Sequence, residues 1–247
     1  MMSGDLFYID ETTFVPFPPV SSSTPEGIVA VGGNLSPGML LSAYRQGIFP
    51  WFSEGDPLLW WSPDPRCVLF PKEVHISRSM KKVLRRGTFS TSFDTCFHGV
   101  IAACRHAPRR GQDGTWITEA MQEAYTKLYE LGFAHSIEVW DGERLAGGLY
   151  GVSLGNCFFG ESMYCSVTNA SKVALIQLAE ALDRWGFDFL DCQVHSSHLE
   201  SLGARQIPRD EFMGRLRECL RHETLRGSWA GIPDSSRDPF RDASALS

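Results

Sequence analysis

The 247 residues carry a formal net charge of −6, with 43% hydrophobic and 21% charged residues, a composition typical of a globular protein rather than a disordered or fibrous one. Because the net charge is negative, the protein as a whole does not attract nucleic acid, and any nucleic-acid binding has to come from a local patch of basic residues. No apolar run reaches the roughly 18 residues that span a bilayer, and the N-terminus lacks the layout of a signal peptide, so we expect no membrane segment and a cytoplasmic location. The seven cysteines are scattered and contain no CxxC pair, so we expect reduced thiols.

The first 66 residues read as a small N-terminal domain. Residues 1–24 are rich in Pro, Ser and Thr and predict extended structure. Ser36 followed by Pro37 predicts a helix over residues 37–46 that ends at Gly47. Three tryptophans then fall within eleven residues, in loops interrupted by proline: Trp51, Trp60 and Trp61. Such a cluster is typical either of packing between two layers or of a platform on which a base stacks, and the sequence leaves both open.

A basic helix is predicted after Ser77, which is a suitable N-cap. Five cations occur within nine positions without an acidic residue: Arg78, Lys81, Lys82, Arg85 and Arg86. They indicate either a solvated helix face or a patch that contacts phosphates.

The remaining elements predict a mixed α/β (α+β) fold. Helices are expected over 94–106, 118–130, 169–185 and 210–222, and strands over 67–70 and 89–93. Three further strands form an antiparallel meander whose first turn is Asp141-Gly142. A strand that enters from a crossover helix beside such a meander diverges from its neighbour and leaves a crevice, where α/β sheets bind ligands.

That entering strand covers residues 187–194 and carries unusual polar groups. Strand alternation places Phe189, Asp191 and Gln193 on one face, and Leu190, Cys192 and Val194 on the other. A buried acid and a buried amide are unfavourable unless they are hydrogen-bonded. Either they have backbone partners and a purely structural role, or they form a functional site.

Other common sites find no support in the sequence. There is no P-loop, GxGxxG or HExxH motif, and Gly160-Glu161-Ser162-Met163-Tyr164 lacks the second glycine of a nucleophile elbow. His195 and His198 have no third metal ligand nearby in the sequence, so no metal is expected.

Several motifs together resemble the leucyl/phenylalanyl-tRNA–protein transferase family, in order from about residue 26 to residue 215. They are Gly47-Ile48-Phe49-Pro50-Trp51-Phe52, Trp60-Trp61-Ser62-Pro63-Asp64-Pro65-Arg66, His75-Ile76-Ser77-Arg78-Ser79-Met80, Gly114-Thr115-Trp116-Ile117-Thr118, Gly160-Glu161-Ser162-Met163 and Asp191-Cys192-Gln193.

The resemblance implies an enzyme that moves Leu or Phe (also Met) from aminoacyl-tRNA to the α-amine of proteins beginning with Arg or Lys, which marks them for N-degron proteolysis. It further implies a GNAT-like acyltransferase domain, with a mixed, largely antiparallel sheet and neither acetyl-CoA nor metal, here over residues 67–226. Residues 227–247 are expected to form an extended or partly disordered tail. Two alternatives stay open at this point: a transferase that builds peptidoglycan bridges, and a non-catalytic tRNA-binding module.

The resemblance also assigns roles to residues. Trp51 and Trp116 would flank the terminal adenosine, and an apolar pocket for the amino-acid side chain would be lined by Phe158, Leu178 and Leu182. Glu161 would hold the aminoacyl group or the adenosine, and Met163 belongs to the same substrate-binding set. The basic residues at 78, 81, 82, 85 and 86 would contact acceptor-stem phosphates. For catalysis we expect the Gln193 carbonyl to accept a hydrogen bond from the attacking amine, while Asp191 orients Gln193 and offsets the developing positive charge.

Overall fold

The structure is a computed structural model that describes residues 13–107 and 117–232. Within these ranges the first elements are β1 (Ile28–Val31), α1 (Pro37–Arg45), β2 (Phe49–Pro50) and β3 (Leu59–Trp61). The three strands form a small antiparallel sheet in the order β1-β3-β2. Helix α1 begins where the sequence predicts, because the Ser36 side chain accepts a hydrogen bond from the Met39 amide.

The following elements build a second sheet and its helices. They are β4 (Arg66–Leu69), α2 (Arg78–Arg86), β5 (Ser90–Phe93), α3 (Phe97–His106), α4 (Glu119–Glu130), β6 (Ala134–Asp141), β7 (Arg144–Leu154), β8 (Cys157–Cys165), α5 (Ala170–Arg184), β9 (Phe189–Gln193), α6 (Ser197–Glu200), β10 (Arg205–Ile207) and α7 (Arg209–Cys219). The sheet order is β10-β4-β9-β8-β7-β6-β5, and every neighbouring pair is antiparallel except β8 and β9. The expected mixed, largely antiparallel sheet is therefore confirmed.

The parallel pair creates the opening that positions the site. Residues Cys157–Phe159 of β8 pair with residues Phe189–Asp191 of β9, and beyond these three pairs the two strands diverge. Helix α5 connects them across one face of the sheet, as the crossover between parallel strands requires. The crevice predicted beside the entering strand lies at this divergence.

Two hydrophobic clusters fill the two sides of the large sheet. One is built around α1, α3 and α4, and the other around α5. Trp229 belongs to the second cluster and is 1% exposed, with its ring stacked on His135 at 3.8 Å. Trp229 is therefore packed into the core, whereas the sequence predicted an extended or partly disordered tail from residue 227. Residues 233–247 of that predicted tail lie outside the described residues. The division at residue 66 stays a prediction.

None of the helices in the described ranges is long and apolar enough to cross a membrane.

Candidate functional site

A cavity of about 500 Å³ opens where β8 and β9 diverge. Its apolar wall is formed by Leu149, Met163, Leu175 and Leu190, with Phe49, Pro50 and Trp51 at one side. Polar side chains line the same space: Tyr150, Glu161, Ser162, Gln193, His195, Ser196 and His198. An apolar wall beside such polar groups is typical of a site for a small organic group that is held in one orientation.

Glu161 points into this region because it is the extra residue of a β-bulge. Tyr150 lies opposite Ser162 and Gly151 lies opposite Gly160, so Glu161 falls between two pairs. The bulge depends on a glycine, since a Cβ at Gly151 would lie 2.2 Å from the Phe159 carbonyl oxygen. Bulges re-aim a single side chain in this way and are frequent beside active sites.

The Glu161 carboxyl group is buried among hydrogen-bonding partners. Oε1 lies 2.7 Å from the Tyr44 hydroxyl and accepts from Gln193 Nε2 at 2.8 Å, while Oε2 lies 2.7 Å from the Tyr125 hydroxyl. Burial raises the pKa of Glu161 to about 7; the three hydrogen bonds lower it, and the charge of Asp191 raises it. Burial also raises the pKa values of Tyr44 and Tyr125 well above their usual range, so both phenols are neutral.

Gln193 ends strand β9 with a backbone that leaves the strand conformation. Its φ is +61°, in the left-handed region, and the β4–β9 register shifts beside it. The expected alternation is interrupted there, so Gln193 borders the cavity and Asp191 does not. Because the Gln193 amide nitrogen donates to Glu161, the carbonyl oxygen of the same amide can act only as an acceptor for a further partner.

Asp191 is held by Arg66, at the start of β4, and both side chains are fully buried. Arg66 donates from Nε to Oδ1 at 2.8 Å and from Nη2 to Oδ2 at 2.6 Å, and its guanidinium lies between the rings of Phe49 and Phe212. Oδ1 of Asp191 also accepts from the Gln193 backbone amide at 2.9 Å. Asp191 therefore orients the backbone of Gln193 rather than its side chain, and Arg66 already balances its charge.

The predicted site residues fall into separate places. Trp51, Glu161, Met163 and Gln193 all line the cavity. Phe158, Leu178 and Leu182 lie in the hydrophobic core beside α5 and are not among the residues that line the cavity. Trp116 lies outside the described residues. The basic residues of α2, which are Arg78, Lys81, Lys82, Arg85 and Arg86, are all exposed on a helix that packs against α5.

Three important residues were not identified from the sequence. Arg66, Tyr44 and Tyr125 fix the two acidic side chains, but they are distant from them in the chain, and although Arg66 ends one of the motifs of the resemblance, none of the three was given a role. For Arg66 one signal existed, because a buried strand that begins with an arginine requires a buried partner for it.

Comparisons with known proteins identify the family to which this chain is similar. Residues 68–217 match the family described as Leucyl/phenylalanyl-tRNA protein transferase, and residues 33–64 match the N-terminal domain of that family. A Leucyl/phenylalanyl-tRNA--protein transferase from Syntrophus aciditrophicus is 56% identical over 222 residues, covering 90% of this chain and 93% of that protein. One from Nitrosospira multiformis is 54% identical over 215 residues, covering 86% and 92%. A solved structure, L-PGS from Bacillus licheniformis, is a distant match with 10% sequence identity and a TM-score of 0.39. The match covers 67% of this chain and 58% of that chain.

Proposed function

The chain belongs to the leucyl/phenylalanyl-tRNA protein transferase family, and from this premise we propose that it transfers Leu, Phe or Met from aminoacyl-tRNA to the α-amine of proteins that begin with Arg or Lys. The new peptide bond marks the acceptor for N-degron proteolysis. The scattered free cysteines fit a cytoplasmic location, where thiols stay reduced.

The observation that carries this proposal is the position of the Gln193 amide at the edge of an apolar cavity. In the reaction, the α-amine nitrogen bonds to the ester carbonyl carbon, the bond from that carbon to the ribose oxygen breaks, and the proton lost by the amine ends on the ribose oxygen. An α-amine titrates near 8, so about a tenth of it is neutral at pH 7 and no strong base is needed.

Gln193 acts as the positioning group for the amine. Its nitrogen is fixed on Glu161 at 2.8 Å and its backbone amide on Asp191 at 2.9 Å, so the carbonyl oxygen is held in one place to accept a hydrogen bond from the amine. Holding two reactants in a fixed geometry is itself a large source of rate enhancement. Since Arg66 balances Asp191, we assign Asp191 to orientation and not to direct stabilisation of the ammonium charge.

The apolar wall provides the subsite for the amino-acid side chain. Leu149, Met163, Leu175 and Leu190 offer a surface that suits Leu, Phe or Met and carries no polar side-chain atom. Trp51 lies at the same cavity and offers a ring on which the terminal adenine stacks. Phe158, Leu178 and Leu182 support this wall from the adjacent core.

Helix α2 is proposed to contact the acceptor stem. Its five cations are exposed, and among the described residues none of them forms an ion pair, so their charge is available to phosphates. Such contacts position a nucleic acid without reading its sequence.

The test is to incubate the protein with Phe-tRNA or Leu-tRNA and a peptide that begins with Arg, and to measure the peptide mass. We expect an increase of one amino-acid residue, and none with the same peptide acetylated at its N-terminus. A protein that binds the tRNA but leaves the peptide mass unchanged would contradict the proposed reaction and support a binding module instead.

A further inference from the structure

Tyr44, Tyr125 and Glu161 form a closed triangle of oxygen–oxygen contacts inside the protein. The Tyr44 hydroxyl lies 2.7 Å from Oε1 of Glu161, the Tyr125 hydroxyl lies 2.7 Å from Oε2, and the two hydroxyls lie 2.5 Å apart. The three groups come from α1, α4 and β8, so three separate elements bring them together. Both phenol groups are fully buried.

The number of protons in this triangle determines the charge of Glu161. Each of the three contacts is short enough to require one proton between its two oxygens. The two neutral phenols provide two protons. If Glu161 were ionised, the two phenol protons would have to serve three contacts. One pair of oxygen atoms would then face each other with lone pairs only and no proton between them. A protonated Glu161 provides the third proton, and each group then donates once and accepts once around the triangle.

We infer that Glu161 carries a proton in the substrate-free protein, and that Tyr44 and Tyr125 are positioning residues that hold this protonated carboxyl group in a closed hydrogen-bonded ring beside Gln193. The triangle is a complete hydrogen-bonded ring only in this state. Gln193 Nε2 donates to the same carboxyl group from outside the ring.

The charged and titratable surroundings of Glu161 favour the same state. Tyr150 faces the ring from β7, and Asp191 and its partner Arg66 lie behind it on β9 and β4. The ion pairs of the described residues do not include Glu161, so no cation there compensates an ionised form. Its pKa of about 7, raised mainly by burial, agrees with this.

A neutral Glu161 has a clear consequence for the amine, which rests on the proposed function. A carboxylate next to the bound α-amine would stabilise the ammonium form, whose nitrogen has no lone pair for attack. A neutral carboxyl group lacks this effect. With Asp191 balanced by Arg66, both acids near Gln193 then leave the amine free to lose its proton.

The test uses infrared spectroscopy of the full-length protein, because the carbonyl stretch of a protonated carboxyl group is separate from that of a carboxylate. We expect the wild-type protein at pH 6 to show a protonated-carboxyl band that is lost at pH 9 and is missing in Glu161→Gln. The comparison of the two pH values needs only the wild-type protein, so it remains valid if the variant does not fold. Absence of the band at pH 6 would overturn the inference.

The positioning role is tested with Tyr44→Phe and Tyr125→Phe, each of which removes one hydroxyl and opens the ring. We expect each to shift the frequency of the Glu161 band. Tyr129→Phe is the matched control, since it removes a hydroxyl from the same helix as Tyr125, but one that donates to the Asp94 carbonyl. If both ring variants keep the wild-type band, the tyrosines do not hold the carboxyl group.

These outcomes are independent of the transfer assay. If the infrared band is present and no peptide is modified, the proposed function fails while the protonation of Glu161 stands. If peptide transfer occurs and the band is absent, the proposed function stands while the protonation of Glu161 fails.

Discussion

The ion pair between Arg66 and Asp191 leads to a quantitative prediction about stability. Both side chains are fully buried and joined by two hydrogen bonds of 2.8 and 2.6 Å. The guanidinium carbon of Arg66 lies 4.7 Å from the centre of the Phe49 ring and 4.5 Å from that of Phe212. The perturbation is to remove each charge alone and then both together, as Arg66→Met, Asp191→Asn and the double variant.

The expected magnitudes follow from what each variant leaves buried. Arg66→Met leaves a carboxylate without a counter-charge and Asp191→Asn leaves a guanidinium without one, so each lowers the free energy of unfolding by roughly 3–5 kcal/mol. The double variant leaves no charge, keeps an oxygen that accepts from the Gln193 amide, and fills the space between the two rings. We expect its loss to fall below the sum of the single losses by at least ~2 kcal/mol.

The assay is urea unfolding of the three variants and the wild-type protein at one pH. The pair Arg205 and Glu73 is the matched control, because it is also a hydrogen-bonded arginine–carboxylate contact but its side chains are about half exposed. Neutralising that pair should change the free energy of unfolding by no more than ~1 kcal/mol. Additive losses in the Arg66 and Asp191 cycle, or equal losses in both pairs, would refute the reasoning from burial.

Three further predictions concern the cavity and the basic helix. The pKa of Glu161 is about 7 in the folded protein and 4.5 ordinarily, so between these pH values only the unfolded chain loses the proton. The free energy of unfolding of the wild-type protein, relative to that of Glu161→Gln, should therefore fall by up to ~3 kcal/mol from pH 4.5 to 7 and stay level above pH 7. A difference in urea unfolding that does not change with pH would contradict this. Gln193→Ala should lower kcat for peptide transfer at least about tenfold with tRNA affinity unchanged, because the amine loses its positioning group, and an unaltered rate would remove Gln193 from the mechanism. Charge reversal of Lys82 and Arg85 should raise KM for aminoacyl-tRNA and flatten the salt dependence of binding, whereas reversal of the exposed Arg221 should change neither; equal effects would show a general charge effect.

Local signals in the sequence predicted the starts of three helices and the meander correctly, whereas the helix expected from residue 94 begins only at Phe97. Ser36, Ser77 and Thr118 each accept a hydrogen bond from a backbone amide of the first helical turn. The Asp141-Gly142 turn joins β6 to β7 as expected. These features depend on neighbours within four residues, which the sequence shows directly.

The site was predicted only in part, because its geometry depends on contacts between distant residues. Alternation along a strand placed Asp191 and Gln193 on one face, but the positive φ of Gln193 and the register shift beside it separate them. The bulge that turns Glu161 toward Gln193 depends on Gly151 in the neighbouring strand. A period of two residues cannot reveal an extra residue in one strand of a pair.

The partners of the two acids come from the part of the chain that precedes residue 67 as well as from the part that follows it. Asp191, Glu161 and Arg66 all belong to the large sheet, with Arg66 as the first residue of β4, whereas Tyr44 comes from α1. A chain that began at residue 67 would keep both acids and Gln193, yet one carboxylate would lose its counter-charge and the other acid would lose a ring member. The uncompensated carboxylate of Asp191 would hold a nearby amine as ammonium, because opposite charges at short range favour the charged form. Besides Phe49 and Trp51, which line the cavity, the chain up to residue 66 therefore supplies the counter-charge of Asp191 and a hydrogen-bonding partner of Glu161.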